Sequence, residues 1–364
     1  MPKKSLASLE VAALINELQF LVQGKISQLY HHWEGDFDEL LLQLHAPGKG
    51  KQLLKIIPGK LACITTHKET AVKPSGFTML LRKYLDNAII RALYQKDAER
   101  IMIFELEKES NYFLIIELFS KGNVILTDKN NIIIRALEER VWKDRTIKAK
   151  EPYVYPPSPL NWKTITEKQL YELLQQSQKR NLATALATDL GLGGVYAEEL
   201  CLVAGIHKDT LPPALKSNEA GALFQTLRSF IQKIKNPRGY MYLEQVTPFP
   251  LQGQTPSEVK QTYTEAIDTL NPSRKVSPYH QRIKSIEHMV MEQQEAIAKQ
   301  EELIILNTAK GERIYEKYAP LHKMLEIVKQ LRKNKDWKDI AVELGKEKKI
   351  KKVDLKNKKV VIEL

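Results

Sequence analysis

The sequence has little cysteine and no long apolar run. Its 364 residues include 2 cysteines, Cys63 and Cys201, which form neither a Cys-x-x-Cys pair nor a metal-ligand spacing. No apolar stretch approaches the roughly 20 residues that a membrane-spanning helix needs. The opening residues, MPKKSLASLE, lack the apolar region of a signal peptide. These absences exclude a disulfide scaffold and predict a reducing, cytoplasmic setting with no membrane partner.

Residue groupings that carry enzyme chemistry are also missing. We find no nucleophile with a matching base, no cluster of metal ligands and no glycine-rich loop of the kind that holds nucleotide phosphates. Nothing in the sequence therefore points to a catalytic residue, a metal or a cofactor.

Positive charge is abundant. Lys and Arg number 56 against 44 Asp and Glu, which gives a formal net charge of +12 at pH 7. This balance favours a polyanionic partner, nucleic acid before membrane, although a solvated basic surface would give the same count. The length of 364 residues and the apolar content of 43% allow two or three domains with real cores.

The most informative stretch runs from Gly76 to Lys129. It begins with a helix that carries Arg82 and Lys83 on its polar face and has an apolar face formed by Phe77, Leu80, Leu81, Tyr84 and Leu85. Apolar runs at 101–106, 112–118 and 124–126 follow and predict a β-meander. Glu99 and Arg100 form a charged pair directly before the first of these strands. The pair is either a solvent-facing feature of a strand entrance or a binding element.

The order of these signals resembles the amino-terminal domain of the NFACT family. The resemblance is carried by the helix F-x-M-L-L-R-K, the strand opening E-R-I and the strand G-N-V-I-L-T-D. NFACT proteins, once described as fibronectin-binding, are ribosome-quality-control factors that include the Rqc homologues and nuclear export mediator factor, and we expect an archaeal member. Members usually carry Asp-Arg where this chain has Glu99-Arg100. The resemblance therefore implies tRNA binding by Arg100 and, with its longer carboxylate, by Glu99. Arg82 and Lys83 are further candidate nucleic-acid contacts.

The resemblance implies an α+β fold whose first domain, residues 1–160, is β-rich and similar to the amino-terminal domain of formamidopyrimidine-DNA glycosylases. The residues agree with this class. Ser8 is a suitable N-cap for a first helix, and strands are predicted over 25–33, 40–45, 52–57 and 61–66 with a hairpin turn at 47–50. His31 and His32 would point to opposite faces of a strand and so would not share a metal ion.

A glycosylase-type DNA-processing enzyme is the alternative function. Those enzymes attack damaged nucleotides with an N-terminal proline that is followed by a glutamate acid. Here Pro2 is followed by Lys3, Lys4 and Ser5. A secondary amine with no positioned proton donor is a weak catalyst, which disfavours this alternative.

A glycine-rich motif lies in the predicted second domain, residues 161–275. An extended proline-rich linker over 150–159 precedes this domain, and a capping box at Thr164–Glu167 opens its first helix. The motif, L-x-x-x-L-G-L-G-G-V-Y-A-E-E-L from Leu186 to Leu200, matches a helix-hairpin-helix module. Its glycines Gly191, Gly193 and Gly194 would let backbone amides approach a phosphate. The alternative is a turn between packed helices that binds nothing, and Glu198 and Glu199 would repel a phosphate close by.

The last two predicted domains are a coiled-coil arm over 276–336 and the start of a middle domain over 337–364. The arm has an interrupted heptad pattern from Ile283 onward, which favours one arm of an antiparallel pair over an autonomous dimer. Its segment Lys310–Tyr318 is similar to the family's signature in this helix. Residues 346–359 are densely basic and form either a disordered tail or the first strands of a small domain. The resemblance implies an amino-terminal fragment of a longer protein.

The resemblance finally implies a function. The protein would bind a large ribosomal subunit obstructed by peptidyl-tRNA, contact its rRNA and recruit tRNA, alanyl-tRNA in particular, so that the stalled chain gains a C-terminal tail. Peptide transfer would be the chemistry of the ribosome, and the chain itself would have no active site. A surface adhesin is a third alternative, which the missing export signal disfavours.

Overall fold

The computed structural model describes residues 5–34, 37–68, 74–142, 145–157, 160–243, 245–270, 280–344, 350–354 and 359–362. The chain divides into two compact units, Met1–Ser273 and Arg274–Leu364, which we describe separately. Pro2 and the beginning of the predicted coiled-coil arm lie outside the described residues.

Within the described residues, the first unit is built around a nine-stranded antiparallel sheet. Helix α1 (Ser8–Glu17) precedes the sheet, and α2 (Gly76–Leu85) lies in sequence between its first four and last five strands. The strands are β1 (Lys25–Glu34), β2 (Phe37–Ala46), β3 (Gly50–Ile57), β4 (Leu61–Ile64), β5 (Ile89–Gln95), β6 (Ile101–Glu107), β7 (Asn111–Glu117), β8 (Asn123–Asp128) and β9 (Ile133–Ala136). The mixed helix and sheet class is confirmed, while the similarity to the glycosylase domain stays a prediction.

The spatial order of the strands shows two meanders side by side. The order is β4-β3-β2-β1-β5-β6-β7-β8-β9, so every neighbour is consecutive in sequence except at β1 and β5. That junction is short: Lys25 pairs with Ile89, and Ile90 exchanges backbone hydrogen bonds with Gln23 and Gly24 at 2.8 and 2.9 Å. The predicted hairpin turn is confirmed, since Ala46 pairs with Gly50 at the end of β2 and β3.

The central strands of the second meander are buried on both faces, which explains why their sequences are continuous apolar runs rather than alternating ones. One face packs in the main core with α1 and α2. The opposite face carries Ile103, Ile115 and Ile125 against Tyr153. Tyr153 belongs to the segment predicted as an extended linker, and an isolated bridge from Ile132 to Pro152 holds that segment beside the sheet.

The two meanders also touch at their turns. Gly59, in the turn between β3 and β4, and Gly122, in the turn between β7 and β8, both have φ of +72°. The amide of Gly59 donates to the carbonyl of Glu117 at 3.0 Å. A Cβ atom added to Gly122 would lie 1.8 Å from the backbone nitrogen of Gly59, so this approach requires glycine.

The remaining elements of the first unit are mainly helical. They are β10 (Arg140–Val141), β11 (Thr146–Ile147), α3 (Glu167–Gln176), α4 (Leu182–Thr188), α5 (Gly194–Val203), α6 (Ser217–Lys233), β12 (Gly239–Met241), β13 (Val246–Thr247), β14 (Glu258–Lys260) and α7 (Tyr263–Thr269). Helix α7 is fixed to the sheet by Asp268, which pairs with the buried Lys55 and accepts a hydrogen bond from Thr65 at 2.9 Å.

Two predicted helix caps are wrong. The box that opens α3 uses Thr166 and Gln169, because Thr164 instead closes a turn onto the carbonyl of Asn161 at 3.1 Å. The N-cap of α1 is Ala7, whose amide donates to Glu10 at 2.7 Å. Ser8 is the first residue of the helix and is buried.

The second unit contains α8 (His280–Glu316), α9 (Tyr318–Asn334), α10 (Trp337–Leu344), β15 (Ile350–Asp354) and β16 (Lys359–Ile362). The predicted continuous arm is interrupted at Lys317, which has φ −102° and ψ 18°. Pro320 explains the break, because a proline ring clashes with the carbonyl four residues earlier, here that of Glu316. Strands β15 and β16 pair, so the described part of the basic segment, 350–354 and 359, forms strands rather than a disordered tail. No described helix is apolar enough over sufficient length to cross a membrane.

We predict that Gly122→Ala destabilises the first unit by about 2–5 kcal/mol, since it adds an overpacked contact to the cost of a left-handed alanine. Gly48→Ala is the matched control. Its φ is +70° and nothing lies within 4 Å of the added Cβ, so it carries the backbone cost alone. Urea unfolding should give a clearly larger loss for Gly122→Ala. Equal losses would show that the contact between the turns contributes nothing.

We also predict that α8 is the least protected long element. Its apolar residues, among them Val290, Ile297 and Ile304, are 45–63% exposed. A helix without a packed face draws little stability from propensity alone. Hydrogen exchange of the dilute protein should show α8 opening well before β6 to β8. Strong protection of α8 at low concentration would contradict this, and protection only at high concentration would indicate pairing between chains.

Candidate nucleic-acid interface

One cleft of about 470 Å³ brings the two predicted sites together. Its walls come from the segment before α1, from the turn between β5 and β6, and from the connection between α4 and α5. Glu99 and Arg100 lie on the second wall, and Gly191, Gly193 and Gly194 lie on the third. The sequence placed these two groups about 90 residues apart and gave no sign that they share one cleft.

The turn that carries Glu99 and Arg100 is held by a buried network centred on Ser8. The Ser8 hydroxyl donates to the carbonyl of Ala98 and accepts from the indole N–H of Trp162 at 2.9 Å. The side-chain nitrogen Nε2 of Gln95 donates to the backbone carbonyl of Ser8 at 3.0 Å and to that of Glu99 at 2.7 Å. Ser8, Gln95 and Trp162 are at most 7% exposed. The position of the turn is thus set by buried side chains that carry no charge.

Arg100 is half-buried beside Glu99. Burial lowers the pKa of its guanidinium, and the adjacent carboxylate of Glu99 opposes that shift. The backbone of Arg100 is paired, since its carbonyl accepts from the amide of Leu118 at 2.8 Å. Among the described residues, no acceptor of a hydrogen bond from the guanidinium is found. Arg100 lines the cleft, and the planar donors of a guanidinium suit a phosphate or a base edge.

The opposite wall is the amino-terminal end of α5. Its N-cap is Gly193, which has φ +83° and no capping side chain. A Cβ on Gly193 would come within 3.2 Å of the Cβ of Ala7, so the hairpin packs closely on the segment before α1. No described oxygen accepts from the amides of Gly194 and Val195. Free amides and the positive end of the helix dipole both favour an anion here.

The acidic residues of α5 are engaged elsewhere. Glu198 forms an ion pair with Lys208 at 3.0 Å. Glu199 is 5% exposed and accepts from the amide of Gln252 at 2.7 Å, and burial raises its pKa. Neither residue lines the cleft that holds Arg100. The repulsion expected from Glu198 and Glu199 is therefore much reduced.

Arg82 and Lys83 lie apart from this cleft. Arg82 was expected to face water, but its guanidinium donates twice to the carbonyl of Leu29, at 2.9 and 2.7 Å. It also lies 5.6 Å from the ring of Tyr30. Arg82 thus anchors α2 to β1. Lys83 is exposed as expected. A role of either residue in binding stays a prediction, and the geometry disfavours it for Arg82.

A buried carboxylate stands behind the cleft. Glu10 of α1 is fully buried and accepts from the hydroxyl of Tyr196 at 2.5 Å. Burial raises the pKa of Tyr196, and the charge of Glu10 raises it further, so the tyrosine stays a donor. This bond ties α5 to α1 across 186 residues. In the described part of the chain, no group of His, Cys, Asp and Glu is arranged to hold a metal ion.

Comparison with known proteins decides the family. A model of the NFACT N-terminal and middle domains matches residues 8–363. The chain belongs to the NFACT family. The archaeal Rqc2 homolog aRqcH of Methanocaldococcus jannaschii is 29% identical over 360 residues, which cover 92% of this chain and 53% of the relative. The ribosome quality control complex subunit 2 of Saccharomyces cerevisiae is 28% identical over 133 residues, covering 36% of this chain and 13% of the relative.

The NFACT chain also matches solved structures. The N-terminal part of the fibronectin/fibrinogen-binding protein from Streptococcus suis has a TM-score of 0.59 and 22% identity, and the match covers 73% of this chain and 98% of that one. This likeness shows a shared fold. The chain spans about half the length of its archaeal relative and a smaller part of the yeast protein.

Ser8, Gln95, Glu10 and Tyr196 were not predicted as site residues. The signal for Ser8 was misleading, because a serine before an apolar helix suggests a cap. Glu10 carried a weak signal, since a carboxylate inside a strongly apolar helix face needs a buried partner. The partners themselves lie 87 to 186 residues away and left no local pattern.

We predict that Ser8→Ala lowers the free energy of unfolding by about 2–3 kcal/mol, because it strands the Trp162 indole N–H and the Ala98 carbonyl. Trp162→Phe should also destabilise. The double variant should lose less than the sum of the two by about 1 kcal/mol, since the shared hydrogen bond is lost once. Ser110→Ala, at an exposed position in the turn before β7, is the control and should change stability by less than about 0.5 kcal/mol. Strict additivity would show that the Ser8 to Trp162 bond contributes no net stability.

Proposed function

We propose that this chain is the tRNA-binding and ribosome-binding part of a ribosome-quality-control factor. It binds a large ribosomal subunit that is obstructed by peptidyl-tRNA, contacts its rRNA and recruits tRNA, with alanyl-tRNA the expected species. The recruited tRNA supports C-terminal tailing of the stalled chain, and the ribosome supplies peptide transfer. Membership of the NFACT family and similarity to the ribosome quality control complex subunit 2 of yeast support this role.

The observation that carries the proposal is the shared cleft of Arg100 and the α4–α5 connection. Arg100 and the amino-terminal end of α5 line the same cleft. An anion bound in this cleft would meet guanidinium donors from one wall and backbone amides from the other. The phosphate groups of RNA are anions that accept hydrogen bonds from such donors. The Glu99 carboxylate next to Arg100 adds an acceptor for a base amine or a ribose hydroxyl.

The proposal assigns positioning rather than catalysis to the cleft. The Ser8 hydroxyl at its edge is already committed to Ala98 and Trp162. The glycosylase alternative rests on Pro2, which lies outside the described residues. Cross-linking to DNA with an abasic site would support that alternative, and copurifying tRNA and large-subunit rRNA would support the proposal.

We predict that Arg100→Ala weakens binding of tRNA by about 1–3 kcal/mol and leaves the melting temperature nearly unchanged. Glu99→Ala should act in the same direction, and Glu99→Asp should retain binding because the charge is kept. Arg135→Ala is the matched control, since Arg135 is exposed on β9 and lines none of the described clefts. Binding is measured by fluorescence anisotropy with a labelled tRNA transcript at several salt concentrations.

The salt series checks the physical basis of binding. Affinity should fall as salt rises, with a slope of about −0.7 to −0.9 per phosphate neutralised. If Arg100→Ala unfolds the first unit, the pair is structural. If it changes neither melting nor tRNA affinity, the proposal is wrong at the residue on which it depends most.

A further inference from the structure

The arginines of the first unit differ in whether their guanidinium groups have acceptors within the protein. Most arginines of the first unit donate to acceptors within the protein: Arg82, Arg91, Arg140, Arg145 and Arg228. Among the described residues, no acceptor of a hydrogen bond or ion pair is found for the guanidinium groups of Arg100, Arg135, Arg180 and Arg238. Arg100 and Arg180 of this second group line clefts, and each is therefore available to a ligand.

The two clefts meet. Arg180 lines a smaller cleft of about 260 Å³ at the start of α4. Ala187 and Gly194 line both this cleft and the one that holds Arg100. The amino-terminal end of α5 thus separates the two arginines and belongs to both clefts. The two clefts therefore adjoin at Ala187 and Gly194, and we call the two together the groove.

The smaller cleft also holds one ion pair and one further carboxylate. Glu198 is paired with Lys208 at 3.0 Å. Asp209 accepts from the side chain of Asn181 at 3.0 Å and lies 3.8 Å from the ring of His207. Arg180 is exposed and has no such partner among the described residues. Of the two cations that line this cleft, Lys208 is paired with Glu198 and Arg180 forms no described ion pair.

We infer that a polynucleotide backbone runs along this groove and that Arg180 binds a second phosphate beyond the one at Arg100. The inference rests on the proposed function, because the occupant is the same RNA. Arg180 makes an electrostatic contact that does not depend on sequence. Glu99 and Arg100, with their fixed turn, supply the more specific end of the groove.

The test uses the full chain and a deacylated tRNA transcript. Arg180→Ala should weaken binding about five- to eightfold at 0.1 M salt, which is the counterion-release contribution of one phosphate, and should make the salt slope shallower by about 0.7–0.9. Arg180→Lys should stay within about twofold of the original chain, because it keeps the charge. Arg135→Ala, which removes an equally exposed arginine outside the groove, should change neither quantity. Because Arg180 contacts no described acceptor, these variants are expected to fold normally.

The outcomes separate this inference from the function on which it rests. If Arg100→Ala weakens binding and Arg180→Ala does not, the groove ends at Gly194 and the inference is overturned while the function stands. If neither variant weakens binding, both are overturned. If Arg180→Lys binds as poorly as Arg180→Ala, charge alone does not account for the contact, and the inferred sequence-independent electrostatic contact is overturned. If Arg135→Ala weakens tRNA binding as much as Arg180→Ala, the effect comes from the overall charge of the protein, and the inference is overturned.

Discussion

The hydroxyl of Ser8 is the atom on which the arrangement of the candidate site most depends. It is buried and joins three segments that are distant in sequence: the start of α1, the turn before β6 and the residue Trp162 before α3. A buried polar group without a partner costs about 1–3 kcal/mol, so each of these partners constrains the other two. The turn with Glu99 and Arg100 inherits its position from that constraint. A flexible surface loop would offer the same charges without a fixed direction.

Much of the fold could be predicted from periodicity, because the strands and their turns are local features. The hairpin at 47–50 and the runs in β6 to β8 followed from residues within a few positions of one another. The long-range polar pairs could not be predicted. Glu10 with Tyr196 and Lys55 with Asp268 are each joined across roughly two hundred residues, and neither member carries a local mark of its partner. The break at Lys317 was predictable in principle, since Pro320 forbids a continuous helix.

The candidate site shows the same division. Glu99, Arg100 and the glycines of the α4–α5 connection were recognisable from local pattern and family resemblance, but their shared cleft was not. Arg82 shows the limit of composition. A net charge of +12 indicates a basic protein but does not indicate which cations are available to a ligand. The guanidinium of Arg82, for example, donates to the carbonyl of Leu29. Net charge is informative about binding only once the cations that have acceptors within the protein have been identified.

The contact between Gly59 and Gly122 also bears on the order in which the first unit folds. Each meander can form from neighbouring strands, whereas this contact needs both meanders to be in place and closes a long loop. We expect such a contact to form late in the folding reaction. A side chain at Gly122 would then act mainly on the rate of unfolding and little on the rate of folding. The contact between the two glycines is thus expected to slow unfolding of the sheet more than it speeds folding.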